Sequence, residues 1–222
     1  MLGFCLSLDR PLCVVGRKHS HNHFESLETI GGAVLKGAVA RLLLETTGAA
    51  AAGRRFVEPG LAGFEALSKN FAALRFTEAR PVEHGAGRRP VEPPLSIVVA
   101  SQRQGEFFDV ALCDKPCLID DEAPAFQPDW KPEHFALVRG KFGWPEVPRE
   151  RRTRTAIEPP TGRAADERLF SYGLVLPESV LSDGSMKKLQ WLAAIGLDDV
   201  AIEERPRVAD ELSRLLAFGL PH

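Results

Sequence analysis

The chain has 222 residues, 44% apolar and 26% charged, with 28 Lys and Arg against 30 Asp and Glu, for a formal net charge of −2. That length supports one large domain or two small ones with a real core, and no stretch reaches the roughly 18 apolar residues of a membrane span. A generic basic nucleic-acid surface is excluded by the charge, so any such binding rests on local clusters or on help from partners.

Met1-Leu2-Gly3-Phe4-Cys5-Leu6 carries no leading basic residue and no small-residue cleavage site. No signal peptide is read, and a cytoplasmic protein is expected. Residues 3–8 alternate weakly and predict a first strand, ended by Asp9-Arg10-Pro11. A polar loop follows from Gly16 to His23, in which His19, His21 and His23 alternate beside Lys18. Histidines in this pattern suit general acid–base cleavage of RNA, a metal, a phosphate contact, or simply a solvated loop.

Gly31-Gly32 marks a turn. Beyond it Val34, Leu35, Ala38, Val39, Leu42 and Leu43 fall at helical spacing, flanked by Lys36 and Arg41, and Gly48 closes the helix. The free amides of that helix start suit a phosphate, the two glycines admit an RNA backbone, and Lys36 sits about one turn further in. The plainer alternative is a turn, a core helix and a surface lysine.

Residues 71–79 read as a strand leading into Pro81, followed by a Gly- and Arg-rich turn with Arg88 and Arg89. Residues 95–100 and 107–112 are two further strand candidates. Residues 113–150 are proline-rich, contain Trp130 and Trp144, and are expected to form an ordered insertion. Cys113 and Cys117 have the spacing of half a zinc site, but no second pair exists; buried or idle thiols are the alternative.

Residues 151–176 predict a protruding hairpin, with arms over 153–157 and 169–176 and a turn at Pro159-Pro160-Thr161-Gly162. It carries Arg152, Arg154 and Arg163, which suit a sugar–phosphate strand or a charged surface. Helices are predicted over 187–195 and 208–218. The order is α+β in a single domain, suited to a ferredoxin-like (RRM-like) sheet with long insertions.

Three stretches together resemble the RAMP superfamily of class 1 CRISPR effector complexes. Ile30-Gly31-Gly32-Ala33-Val34-Leu35-Lys36-Gly37-Ala38 is similar to the family's Ile-Pro-Gly-Ser-Ser-Leu-Lys-Gly-Ala turn. Gly31 replaces the proline, and Ala33-Val34 replace the two hydroxyl residues. The stretch over 71–99, with Arg75 to Pro81 and Arg88 to Ser96, is similar to a strand and proline-rich return of type III-D subunits. Residues 152–164, followed by Leu169-Phe170-Ser171-Tyr172, resemble the family's Arg-x-x-x-Ala-Ile-Asp-x-x-Thr-Gly-x-Ala hairpin, with Glu158 in place of Asp.

The resemblance implies a RAMP fold and a guide-RNA (crRNA) binding subunit of a type III antiviral ribonucleoprotein, closest to the Cas-five group, capping the 5′ repeat-derived handle. The implied RNA contacts are Lys18, His21, Gly31, Gly32, Lys36, Arg41, Arg88, Arg89, Arg152, Arg154, Thr161 and Arg163. Ile157 and Pro159 are the wedge of a thumb-like hairpin. Partners are backbone RAMP proteins, a large subunit, and target RNA or DNA indirectly; no membrane and no cofactor is implied. The family's glycine-rich C-terminal element has no counterpart before His222. Rival readings are a backbone subunit that cuts target RNA and a guide-processing ribonuclease using His19, His21 and His23. The loop over 17–29 offers Glu25 and Glu28 but no aspartate, which argues against target cutting. A domain unrelated to nucleic acids, matched by chance, is the third.

Overall fold

A long alternating segment near the C-terminus organises the molecule. In the computed structural model, which describes residues 1–19, 22–99, 107–109, 111, 138–157, 164–180 and 185–220, Met186–Gly196 is a strand, not the expected helix. Leu189, Trp191, Ala193 and Ile195 are buried at every second position, while Gln190, Leu192 and Ala194 are half-buried on the other face. That is the period of a strand covered fully on one side. Leu192 and Ala194 on the second face blur the alternation, and so the segment resembles a helix.

The elements in chain order are β1 (Leu2–Leu6), β2 (Val15–His19), β3 (His23–Ser26), α1 (Gly32–Thr46) and α2 (Glu65–Asn70). A short 3-10 turn, Phe71–Ala73, leads to β4 (Arg75–Phe76), β5 (Arg80–Glu83), β6 (Ile97–Val99) and β7 (Phe107–Asp109). The chain continues with β8 (Arg149–Ile157), β9 (Ala164–Val175), β10 (Glu178–Val180), β11 (Met186–Gly196) and α3 (Arg205–Leu216). Two further expectations are corrected. The loop expected over 16–23 holds the paired strand residues of β2 and the start of β3, and the strand expected over 71–79 is broken into a 3-10 turn and β4. Pro81 stands inside β5, paired with Trp191.

β11 is the centre of the first sheet. β1 and β10 pair with one side of it, β4 and β5 with the other, all antiparallel. The core lies on the helix side of this sheet. Val39, Leu42 and Leu43 of α1, Leu67 of α2, and Val208, Leu212 and Leu215 of α3 close over Ile195. A second cluster, with Leu35, Leu189, Trp191, Ala79 and Val175, continues this core toward the second sheet. Its strand order is β2-β3-β9-β8, with β3 parallel to β9 and the rest antiparallel. The long β8–β9 hairpin enters the chain between β5 and β11, which are neighbours in the first sheet. β6 and β7 form a separate pair.

Helix α1 starts and stops as its sequence dictates. Gly48, with φ 71°, takes the left-handed position after its C-terminus. At its start, a Cβ on Gly32 would stand 2.0 Å from the Phe76 carbonyl oxygen, so β4 can pass there only because residue 32 has no side chain.

Candidate nucleic-acid interface

Register sets which side chains share a face of the second sheet. Phe24 is opposite Tyr172, and Tyr172 is opposite Arg152. Lys18 holds the same register position on β2, opposite Phe24. One step along the hairpin, Phe170 is opposite Arg154. Directly opposed residues point to the same side. One face therefore carries two rows, Phe24-Tyr172-Arg152 and Phe170-Arg154. The Phe24 and Tyr172 rings stack, with centroids 5.5 Å apart and planes 17° apart. Phe24, Tyr172 and Phe170 are half-buried, while Arg152 and Arg154 are exposed. Aromatic rings beside guanidinium groups on an open sheet face are the chemistry that single-stranded nucleic acid uses for stacking and backbone contact.

The two arginines differ in state. Glu150 is two residues from Arg152 on the same strand, and its carboxylate accepts both Nε (2.9 Å) and Nη2 (3.0 Å). The hydrogen bond to Arg152 holds the Glu150 carboxyl below its usual range, and the same contact raises the Arg152 guanidinium. Arg154 makes no hydrogen bond or ion pair among the described residues. The opposite face carries Arg151, whose Nε donates to Ser171 Oγ at 2.8 Å, with His23 in register with Ser171.

The sequence-predicted residues separate into groups. Lys18, Arg152 and Arg154 all belong to the second sheet, Lys18 on edge strand β2 and the two arginines on the opposite edge strand β8. His19 and His23 are paired strand residues rather than loop residues. Gly31 is the N-cap of α1, with open space where a side chain would be. At Gly32 the Phe76 carbonyl fills the space a side chain would take. The Lys36 ammonium donates to the Ala72 and Leu74 carbonyls at 2.9 and 2.8 Å and lies 5.6 Å from the Phe71 ring centre. It ties α1 to the 3-10 turn. Arg41 pairs with Glu45 on the helix surface. Arg88 is exposed, and Arg89 donates to the Glu78 carbonyl at 2.8 Å. Burial, then the neighbouring Arg80, lowers the Arg89 guanidinium from its usual value, with Glu78 opposing. His21, Thr161, Arg163, Pro159, Cys113 and Cys117 lie outside the described residues. Among the described residues no cluster of three His, Cys, Asp or Glu side chains is set to hold a metal.

Two features escaped the sequence reading. One is the aromatic part of the interface. Phe170 and Tyr172 are two residues apart in a strand, which was legible, but Phe24 joins them only through parallel pairing of β3 with β9. The other is a ladder at the root of the hairpin. Glu28 accepts from Arg139 (2.8 Å) and Arg149 (3.2 Å). Trp144 lies under both Arg139 (4.0 Å) and Arg80 (5.5 Å), and Arg80 donates to Glu78. Comparison with models of known protein families and with curated proteins returns no match.

Proposed function

We propose that this chain is a guide-RNA-binding subunit of a CRISPR effector ribonucleoprotein, capping the 5′ repeat-derived handle of the guide. The observation that carries this reading is the face of the second sheet. It joins aromatic rings and arginines on the long hairpin and its neighbour β3, and the hairpin is one of the three stretches that carry the family resemblance. Strand order also supports it. β1, α1, β4 with β5, then β11 and α3 follow the course of a ferredoxin-like unit, with β11 between the first and second strands. The hairpin leaves between the second and third strands of that unit, as a thumb would. Among the described residues no strand pairs with the outer edge of β1.

The chain's net charge is −2 with every cation counted, so the reading rests on where Arg152 and Arg154 stand and not on overall charge. A subunit largely enclosed by protein neighbours needs no more. The test is binding of the full chain to a fluorescent single-stranded RNA that carries a repeat-derived 5′ handle, compared with a scrambled RNA. The expected result is tighter binding of the handle RNA and affinity that falls with salt. Equal, salt-independent binding of both, or none at low salt, rejects the reading.

A further inference from the structure

Phe170 and Tyr172 fix a distance. They are two residues apart on β9, so their rows are separated by about 6.6–6.8 Å. Successive nucleotides of a helical strand rise only about 3.4 Å. A strand in helical stack cannot put consecutive bases on both rings. A strand with its bases spread apart can. The cations follow the same spacing, since Arg152 stands beside Tyr172 and Arg154 beside Phe170.

We propose that this face seats two successive, mutually unstacked bases of single-stranded RNA, one on Tyr172 and one on Phe170. Arg152 and Arg154 hold the phosphates that flank them. This rests on the RNA-binding reading above and specifies its ligand as splayed, unpaired RNA. Phe24 backs Tyr172 from the neighbouring strand and fixes its ring. Arg154 enters without an acidic partner among the described residues, so it takes a phosphate at no cost in lost pairing. Bases are gripped through their flat faces, and that makes the platform tolerant of sequence.

The experiment is fluorescence anisotropy with the full chain, using labelled oligouridine, the same label on a blunt RNA duplex, and a salt series from about 50 to about 200 mM. Tyr172→Leu and Phe170→Leu are expected to weaken oligouridine binding by about 5- to 150-fold each, with the salt slope unchanged. Tyr172→Phe keeps the ring and is expected to bind like the unaltered chain. This separates stacking from a general loss of fold, and thermal melts of all variants check the same point. Arg154→Gln is expected to reduce the salt slope by about 1. The duplex is expected to bind more weakly than the single strand. If the unaltered chain binds RNA but both leucine variants bind equally well, the platform is wrong and the broader reading stands. Duplex binding as tight as single-strand binding also overturns it. If the unaltered chain binds no RNA, both fall.

Discussion

On β8, Glu150 and Arg152 share one side of the strand, and the carboxylate occupies Arg152 with both oxygens. An arriving phosphate must displace that carboxylate. Glu150→Gln removes the competitor and is therefore expected to tighten RNA binding several-fold and steepen its salt dependence, as read by anisotropy at two salt concentrations. Binding weakened by this change would show that Glu150 orients Arg152 for the ligand instead. The two glycines of the α1 turn make a second contrast. Gly32→Ala brings a Cβ against the Phe76 carbonyl and is expected to cost about 1–3 kcal/mol in urea unfolding. Gly31→Ser meets open space at an N-cap that has no side-chain partner, and is expected to gain a few tenths of a kcal/mol. The sequence marked both glycines as special, and correctly as a helix start. It gave one reason for both, close approach by a ligand, whereas for Gly32 the approaching group is the chain's own β4. The bonds that Lys36 makes were hidden for a related cause. Its partners, Ala72 and Leu74, are more than thirty residues away in the chain, and no local pattern shows a contact of that span.

Helices α2 and α3 depend on each other through one buried acid. Glu211 of α3 is 2% exposed, and its Oε2 accepts the Leu67 amide at 2.7 Å. Leu67 lies in the first turn of α2, whose amides lack partners within the helix. The six-residue α2 has no cap of its own, and an acid from a neighbouring helix serves as one. Glu211→Ala leaves that buried amide unpaired and is expected to cost about 1–3 kcal/mol in urea unfolding. At the other end of the contact Glu204 accepts from Lys69 Nζ at 2.5 Å and Asn70 Nδ2 at 2.7 Å. Those bonds, Lys69 first, hold the Glu204 carboxyl below its ordinary value of 4.5. A depressed acid stabilises the fold fully above its unfolded value and loses that contribution as pH falls through its folded value. Melting temperature is thus expected to be insensitive to this group between about pH 7 and 5 and to decline below about pH 4.5, and Glu204→Gln should flatten that decline. The apolar faces of α1 and α3 were legible from helical spacing, β1 from alternation, and the hairpin from two strand-like arms about a Pro-Pro-Thr-Gly turn. β11 was not, because a central strand half-covered on its second face has no clean polar side. α2 is too short for its period to register.

Glu28 connects parts of the molecule that are far apart in sequence. Its backbone carbonyl accepts Trp191 Nε1 of β11 at 2.7 Å, and its carboxylate accepts Arg149 at the hairpin root and Arg139 on the Trp144 ring. The first sheet, the end of the long insertion and the second sheet thus meet at one residue, the first through its backbone and the other two through its side chain. Sequence reading placed Glu28 in a loop and weighed it only as a missing aspartate, since none of its partners lies within a hundred residues. The Arg139 and Glu28 side chains are each 21% exposed, so water screens the pair partly and its loss should cost less than that of a fully buried one. Glu28→Gln leaves two guanidinium groups facing a neutral amide, and is expected to cost about 1.5–3 kcal/mol, toward the lower end. Tryptophan fluorescence is the natural probe, because Trp144 and Trp191 both border this junction. In the unaltered chain, fluorescence and circular dichroism should follow one urea transition. In Glu28→Gln the fluorescence transition should precede the other, as the hairpin root at Arg149 and the Arg139–Trp144 contact loosen from residue 28 before the helices unfold. RNA affinity should fall in the same variant with an unchanged salt slope, because the platform keeps its cations and loses only its fixed position. Coincident transitions at the unaltered midpoint would mean that the apolar contacts of Val175 and Leu12 hold the two sheets together without Glu28.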